Sequence, residues 1–79
     1  MKVQIYSTPT CIYCDKAKAL FKENDIKYEE FNVKEDLEKR KQMIEISGQM
    51  GVPVIVVNDS DVFVGFDRPG LTKALNIKE

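Results

Sequence analysis

The chain has 79 residues, no histidine, only two cysteines and no long run of apolar residues. Domains this small often gain stability from several disulfides or from a bound metal. So few cysteines, and the lack of histidine, leave little from which to build either. No segment approaches the roughly 20 apolar residues that a membrane-spanning helix needs. We therefore expect one domain over residues 1–79, with no metal site and no membrane span.

Neither sign of charge dominates, since 12 basic and 13 acidic residues give a formal net charge of −1. Without a basic patch, neither nucleic acid nor an anionic membrane surface is an expected partner. The chain begins Met-Lys-Val-Gln-Ile-Tyr, which enters a strand pattern directly and shows no secretory signal. The expected location is the reducing cytoplasm, where paired cysteines are more often catalytic or metal-binding than structural. We also expect a monomer.

The first half of the sequence alternates between patterns typical of strands and of helices. Residues 3–6 form a short β-prone run that ends before Pro9. Residues 11–24 have the i, i+3, i+4 apolar spacing of a helix with one buried face. The residues expected on that face are Ala17, Leu20 and Phe21. Residues 26–33 place apolar side chains among polar ones and suit a second strand, although the alternation is imperfect.

A second helix and a buried strand follow. Residues 35–47 predict the helix, which ends at Gly48 because glycine favours helix termination. Its expected apolar positions are Leu37 and Ile44, two turns apart, with Met43 and Ile46 flanking them. The nearly continuous apolar run at residues 52–57 is typical of a central strand buried on both faces. Pro53 must mark its beginning, since proline cannot donate within a ladder.

The last segment predicts a hairpin and a short helix. Residues 62–64 return after a polar turn as a fourth strand, antiparallel to the third. Asp67 can cap a helix that has Pro69 in its first turn. The inward residues of that helix are Leu71, Ala74 and Leu75. The order is β-α-β-α-β-β-α, and a right-handed crossover makes the first two strands parallel. We expect an α/β fold whose four-stranded mixed sheet has helices on both faces.

Cys11 and Cys14 form a CxxC motif where the first strand gives way to the first helix. A disulfide between them closes a very small loop and removes little entropy from the unfolded chain, so structural stapling explains them poorly. Zinc sites with this spacing need a second pair of ligands, which the chain lacks. Within a βαβ unit the motif indicates a redox pair. The alternative is two incidental cysteines in an ordinary helix.

The spacing and position of the two cysteines predict different roles for them. Side chains at i and i+3 share one helix face, so a modest local adjustment lets the pair close and open. Cys11 lies at the helix start, where unpaired N–H groups and the helix dipole favour a thiolate. We expect Cys11 to attack a target disulfide and Cys14, one turn further in, to resolve the mixed disulfide.

Three segments of the chain carry a likeness to a known family. They are Thr10-Cys11-Ile12-Tyr13-Cys14 with Lys16-Ala17-Lys18 behind it, then Gly51-Val52-Pro53, and then Val64-Gly65-Phe66-Asp67. In this order and spacing they resemble glutaredoxin, and the likeness covers essentially the whole chain. The resemblance implies the thioredoxin-like fold and a thiol–disulfide oxidoreductase that binds no cofactor.

The sequence resembles two groups of glutaredoxin-like proteins, which differ in their electron donor. Members that use glutathione typically have proline, threonine and glycine where this chain has Ile12, Gly51 and Val64, and many have a lysine where it has Thr8. The other group includes the ribonucleotide-reductase partners of the NrdH type and a bacterial YruB type, which a flavin thioredoxin reductase recharges. The segment from Gly65 to Pro69 resembles theirs. We favour recharging by thioredoxin reductase, with glutathione as the alternative co-substrate.

The resemblance also implies a cis peptide between Val52 and Pro53, beside the cysteines. Such a turn would expose the N–H and C=O of Val52, with which a substrate peptide can pair as an added strand. From the residues alone, a trans proline that merely begins the strand is equally consistent.

Five further residues are implied to contact substrate, namely Tyr13, Arg40, Gly65, Phe66 and Asp67. Four of them have a structural alternative. Tyr13 would then be an exposed aromatic with no task, and Arg40 part of a solvated helix face. Phe66 would pack at the edge of the core, and Asp67 would cap the last helix.

Three functions remain open on the sequence. The first is a disulfide reductase acting on proteins such as ribonucleotide reductase or a peroxiredoxin, or on glutathione mixed disulfides. The second is an iron–sulfur carrier that ligates a cluster through Cys11 and glutathione across a dimer. The third is a binding module whose cysteines are idle.

Overall fold

The computed structural model describes residues 2–77, over which four strands and three helices follow one another in the predicted order β-α-β-α-β-β-α. The elements are β1 (Val3–Ser7), α1 (Ile12–Glu23), β2 (Glu29–Asn32), α2 (Leu37–Ser47), β3 (Val54–Val57), β4 (Asp61–Val64) and α3 (Arg68–Ala74). None of the helices within this range is long and apolar enough to cross a membrane.

The sheet is mixed and has the strand order β2-β1-β3-β4. β1 pairs with β2 in parallel, as the right-handed crossover predicts, and pairs with β3 antiparallel. β3 and β4 form the predicted antiparallel hairpin. Asn58 and Asp59, at its turn, have left-handed backbone (φ 54 and 58), which matches the twist of a tight hairpin. Within the sheet the buried residues lie in the two central strands, at four of the five positions of β1 and at all four of β3.

Each face of the sheet is covered by helix, so the predicted α/β layering is confirmed. Residues of α1 and α3 pack on one face, in a cluster made of Val3, Ile5, Ala17, Leu20, Phe21, Ile55, Val57, Leu71 and Leu75. α2 covers the other face, in a cluster made of Tyr6, Val33, Met43, Val54 and Val56. Alternate residues of β1 and β3 therefore serve opposite faces, as the strand period requires.

The second strand is shorter than predicted. It spans only Glu29–Asn32, whereas the sequence pattern suggested residues 26–33. The N–H of Ile26 donates to the carbonyl oxygen of Phe21 at 2.8 Å, so this residue closes the end of α1. The ring of Tyr28 lies 5.2 Å from that of Phe21, which places it in the core cluster ahead of the strand.

The predicted apolar face of α2 is wrong in part. Met43 is buried and Ile44 packs against the same cluster, but Leu37 is 67% exposed and Ile46 is also exposed. The helix begins later than predicted, because Asp36 is its N-cap and accepts the N–H of Lys39 at 3.1 Å. Leu37 is thus the first helical residue and does not pack against the core cluster that α2 covers.

Candidate active site

Both cysteines lie at one end of the sheet, which we call the cysteine end. It is the end where β1 finishes at Ser7 and where β3 begins at Val54. Tyr6 pairs with Val54, and Val54 in turn pairs with Val64 of β4. The chain leaves β1 through a short turn in which the N–H of Cys11 donates to the carbonyl oxygen of Thr8 at 3.3 Å.

The sulfur of Cys11 caps the first helix. Cys11 has extended backbone (φ −91, ψ 110), and its Sγ accepts the N–H of Cys14 at 3.1 Å. This is the position at which a Ser, Thr or Asp side chain ordinarily satisfies a free N–H at a helix start. The partial positive charge of the helix N-terminus and this donated hydrogen bond both favour a negative sulfur. Cys11 is partly exposed, so the sulfur is available to a second molecule.

The second thiol lies behind the first. Cys14 is fully buried, with no exposed surface. Burial and, next, its hydrogen bond with the Cys11 sulfur raise the pKa of Cys14 to about 12, against a lowering by the Thr8 backbone and Lys18. At neutral pH this thiol is therefore protonated and donates towards Cys11. No disulfide joins Cys11 and Cys14 in this structure.

The residues between the cysteines form an exposed rim. Ile12 and Tyr13 are the first two residues of α1, and both side chains are largely exposed. The ammonium of Lys16 lies 5.2 Å from the centre of the Tyr13 ring, a cation–π contact that orients the ring beside the helix start. Tyr13 therefore lies exposed next to the cysteines in α1, and its contact with substrate stays a prediction.

The peptide between Val52 and Pro53 is cis and leads into β3. Tyr6, near the end of β1, pairs with Val54, the first residue of β3. Val52 and Pro53, which precede Val54, therefore lie beside the turn that follows β1. Pro53 is buried, and its carbonyl oxygen accepts the N–H of Gly65 at 2.8 Å. No hydrogen bond described within residues 2–77 uses the N–H or C=O of Val52, so both remain open to a ligand.

The segment after β4 supports this turn from the other side. Gly65 has left-handed backbone (φ 81), which glycine adopts at little cost and most residues with a side chain adopt with strain. Phe66 is half-buried and packs against the cluster under α1 and α3. Asp67 is the N-cap of α3, and its Oδ1 accepts the N–H of Gly70 at 3.1 Å. The capping role of Asp67 is thus present in the structure.

Arg40, a predicted substrate contact, belongs to a different helix from the cysteines, and its role stays a prediction. It lies in α2, and its side chain is exposed. Within residues 2–77, no described hydrogen bond or ion pair joins its guanidinium to the turn that carries Cys11.

The structure adds a polar network that the sequence did not indicate. Ser7 is buried and its Oγ donates to Glu30 Oε2 at 2.9 Å, while Lys18 Nζ lies 2.8 Å from the same oxygen. Lys18 also lies 3.5 Å from Asp15 Oδ1. The one available signal was the i, i+4 spacing of Cys14 and Lys18, which puts both on one helix face. The partner on β2 could not be found from local spacing.

Comparison with known proteins agrees with this geometry. A family model described as Glutaredoxin matches residues 3–62. A glutaredoxin-like 8.6 kDa protein from the rubredoxin operon of Clostridium pasteurianum is 40% identical over 73 residues, which cover 92% of this chain and 96% of that one. Glutaredoxin 3 of Escherichia coli is 38% identical over 56 residues, or 71% of this chain and 68% of its own.

A solved structure gives the same result for the fold. The crystal structure of the T8A mutant of the thioredoxin-like protein BC3987 superposes with a TM-score of 0.89 at 33% identity, covering 96% of both chains. Two thiols at the start of the first helix of this thioredoxin-like fold define a redox protein. The chain belongs to the glutaredoxin family and is a thiol–disulfide oxidoreductase.

Proposed function

We propose that the chain reduces disulfides in other proteins by a two-thiol mechanism, with Cys11 as the nucleophile and Cys14 as the resolving thiol. One observation carries the assignment of roles. The Cys11 sulfur is partly exposed and caps α1, whereas the Cys14 sulfur is buried behind it. A target disulfide can reach only the first of the two. The fold and family support the same chemistry.

The reaction proceeds in two exchanges. The Cys11 thiolate attacks one sulfur of the target, forms a mixed disulfide, and releases the other target sulfur as a thiolate that takes up a proton. Cys14 then loses its proton and attacks the Cys11 sulfur. The bond from Cys11 to the target breaks, the second target thiol leaves, and the disulfide between Cys11 and Cys14 remains. Two electrons have passed from the chain to its target.

The geometry of the cysteine end supports docking of an extended peptide. The unpaired N–H and C=O of Val52 offer one donor and one acceptor, which suit a target segment that adds as a short strand. Tyr13 is exposed on α1 beside the cysteines, and Phe66 with Gly65 follows β4 at the same end of the sheet. Backbone pairing at Val52 would align a target sulfur with Cys11 while leaving the target side chains free to vary.

For the electron donor, we favour a flavin thioredoxin reductase over glutathione. The resemblance implies that members which use glutathione have lysine, threonine and glycine at the positions of Thr8, Gly51 and Val64. The carboxylate of Asp67, a candidate partner for the amine of glutathione, is engaged by the N–H of Gly70. Arg40, a candidate for a glutathione carboxylate, lies exposed on α2. These features favour a protein electron donor that binds the exposed rim formed by Ile12 and Tyr13.

Two assays run in parallel test the donor. Insulin reduction is followed with NADPH and thioredoxin reductase in one arm, and with NADPH, glutathione and glutathione reductase in the other. We expect faster turnover in the thioredoxin reductase arm and none in either arm for Cys11→Ser. Faster turnover with glutathione would overturn the choice of donor but leave the oxidoreductase intact. Turnover by Cys11→Ser would overturn the roles of the cysteines.

The iron–sulfur alternative predicts a different purified protein. A cluster ligated through Cys11 and glutathione would give a brown dimer whose colour is lost in Cys11→Ser. We expect instead a colourless monomer that acts in the reducing cytoplasm. The client would be an enzyme that forms a disulfide in each cycle, of which ribonucleotide reductase and peroxiredoxin are examples. Clients would be identified by covalent capture with Cys14→Ser.

A further inference from the structure

The second exchange of the proposed mechanism has an electrostatic difficulty. Cys14 must become a thiolate to attack Cys11, yet it is fully buried, and burial raises its pKa to about 12. The chain contains no histidine, the side chain whose ordinary pKa suits it to take up such a proton near neutral pH. Stabilisation of the developing negative charge by a fixed positive group is one way to ease this step.

Lys18 is a positive group placed close to Cys14 and held there. The two residues are four apart on α1, so their side chains lie one above the other on the same helix face. The side chain of Lys18 is only 22% exposed, and its Nζ lies 2.8 Å from Glu30 Oε2 and 3.5 Å from Asp15 Oδ1. Lys16 and Lys22, the neighbouring lysines of α1, are both exposed.

The carboxylate that holds Lys18 is itself fixed from the active-site side. Ser7, buried at the end of β1, donates its Oγ–H to Glu30 Oε2 at 2.9 Å. The backbone of the next residue, Thr8, lowers the pKa of Cys14. Ser7 at the end of β1, Glu30 of the edge strand β2 and Lys18 of α1 therefore form one connected polar network on the helix face that carries Cys14.

We propose that Lys18 is a positioning residue for the second exchange: its ammonium, held by Glu30 and Asp15, stabilises the negative charge that develops on the Cys14 sulfur as this sulfur attacks Cys11. The inference rests on the proposed function and deepens it. The bond changes are those already given, since Lys18 keeps its proton and acts only through its charge. Asp15 from α1 and Glu30 from β2 oppose that charge, and Cys11 faces the same sulfur, but among the charged groups that act on Cys14 Lys18 is the one that favours its thiolate.

Release of a chromophore from dithiodipyridine, followed by stopped flow, separates the two exchanges. The first release reports attack by Cys11, and the second reports attack by Cys14. In Lys18→Met the first release should be unchanged. The second should slow about threefold at pH 7, because an increase of about one unit in the pKa of Cys14 lowers its thiolate fraction tenfold while raising its nucleophilicity about threefold. Because the pKa of Cys14 lies well above 7, this ratio should hold from pH 6 to pH 9, where the thiolate fraction rises about tenfold per pH unit.

Matched variants separate this role from simple stabilisation of the fold. Lys22→Met removes the same charge one turn further along α1 and should leave both releases unchanged. Lys18→Arg keeps the charge and should restore the second rate and its pH profile. An unaltered second release in Lys18→Met, or an equal change in Lys22→Met, would overturn the inference. A second release that persists in Cys14→Ser would instead overturn the proposed two-thiol mechanism.

Discussion

The helices α1 and α2 have the same N-cap geometry, but only the N-cap side chain of α1 is chemically reactive. Cys11 at the start of α1 has φ −91 and ψ 110, and Asp36 at the start of α2 has φ −93 and ψ 95. Each side chain accepts the N–H of the residue three positions on, at 3.1 Å in both cases. One accepting atom is a carboxylate oxygen that only caps, and the other is a sulfur that can also react. The reactive group thus occupies an ordinary capping position.

The two helices differ in how firmly the core holds them. The buried residues of α1 are Cys14, Ala17, Leu20 and Phe21. In α2 only Met43 is buried. Because α1 is anchored on the sheet by most of one face, the sulfur at its start keeps a fixed relation to Val52 and to the buried thiol. A mobile capping sulfur on a helix such as α2 would align a target less well.

The largest expected effect separates capping from catalysis at one position. Cys11→Ser keeps an oxygen able to accept the Cys14 N–H, so the free energy of unfolding should change by less than about 1 kcal/mol. Disulfide reductase turnover should vanish, because a hydroxyl does not perform thiol exchange. Turnover is measured with insulin, and stability by urea denaturation.

The matched control is Asp36→Ser, which makes the equivalent change at the start of α2. We expect full turnover from that variant, since its cap lies outside the cysteine pair. Loss of activity in Asp36→Ser, or its retention in Cys11→Ser, would contradict the distinction between the two caps.

The second effect concerns release of the target rather than attack on it. Cys14→Ser should still form mixed disulfides through Cys11 but should not resolve them with a protein target. The expected product is a covalent adduct that survives non-reducing electrophoresis and disappears with dithiothreitol. Glutathione can restore some turnover, since a second glutathione molecule can attack the mixed disulfide. The absence of any adduct, together with normal turnover, would exclude Cys14 as the resolving thiol.

Local sequence patterns were sufficient for the parts of the fold in which one residue type decides the outcome. The apolar run of β3 predicted burial on both faces, and the structure buries all four residues of that strand. The spacing of Ala17, Leu20 and Phe21 predicted the inward face of α1 correctly. The place of Cys11 between β1 and α1 predicted a sulfur at a helix start, because a CxxC motif in that context has few structural uses.

Contacts between distant segments were beyond such patterns. The pairing of Lys18 with Glu30 depends on the register of β1 with β2, which no local pattern gives. Leu37 has the periodicity of a buried residue, but periodicity cannot indicate where a helix extends past the core that it covers. The cis form of Val52–Pro53 followed from the family likeness, since the residues alone left trans equally open.

A third prediction tests whether α1 holds the site independently of α2. Met43→Ala should lower the free energy of unfolding by about 2–4 kcal/mol, because it empties a buried position between α2 and the sheet. Leu37→Ala should change it by less than about 0.5 kcal/mol, since that side chain is exposed. Urea denaturation measures both values.

In the folded Met43→Ala protein, release of the two chromophores from dithiodipyridine should keep its normal rates. A slowed first release would show that α2 also positions the Cys11 sulfur, and the contrast between the two helices would then be smaller than the packing indicates.

The smallest expected effect comes from the ion pair that joins α1 to β2. The hydrogen bond that Glu30 accepts from Lys18 lowers the pKa of Glu30 below its ordinary value of 4.5. A carboxylate whose pKa is lower in the folded state stabilises the fold above its ordinary pKa, and this stabilisation is lost as the pH falls through the folded value. The wild-type protein should therefore lose more stability than Lys18→Met between pH 5 and pH 3. Because Glu30 is 41% exposed, solvent screening limits the difference to about 0.5 kcal/mol.

Urea denaturation at both pH values measures this difference in stability, with Lys22→Met as the control for charge alone. Equal losses in wild type and Lys18→Met would mean that the pair contributes nothing to holding β2 against α1, and that α1 is anchored by its apolar face without help from this bridge.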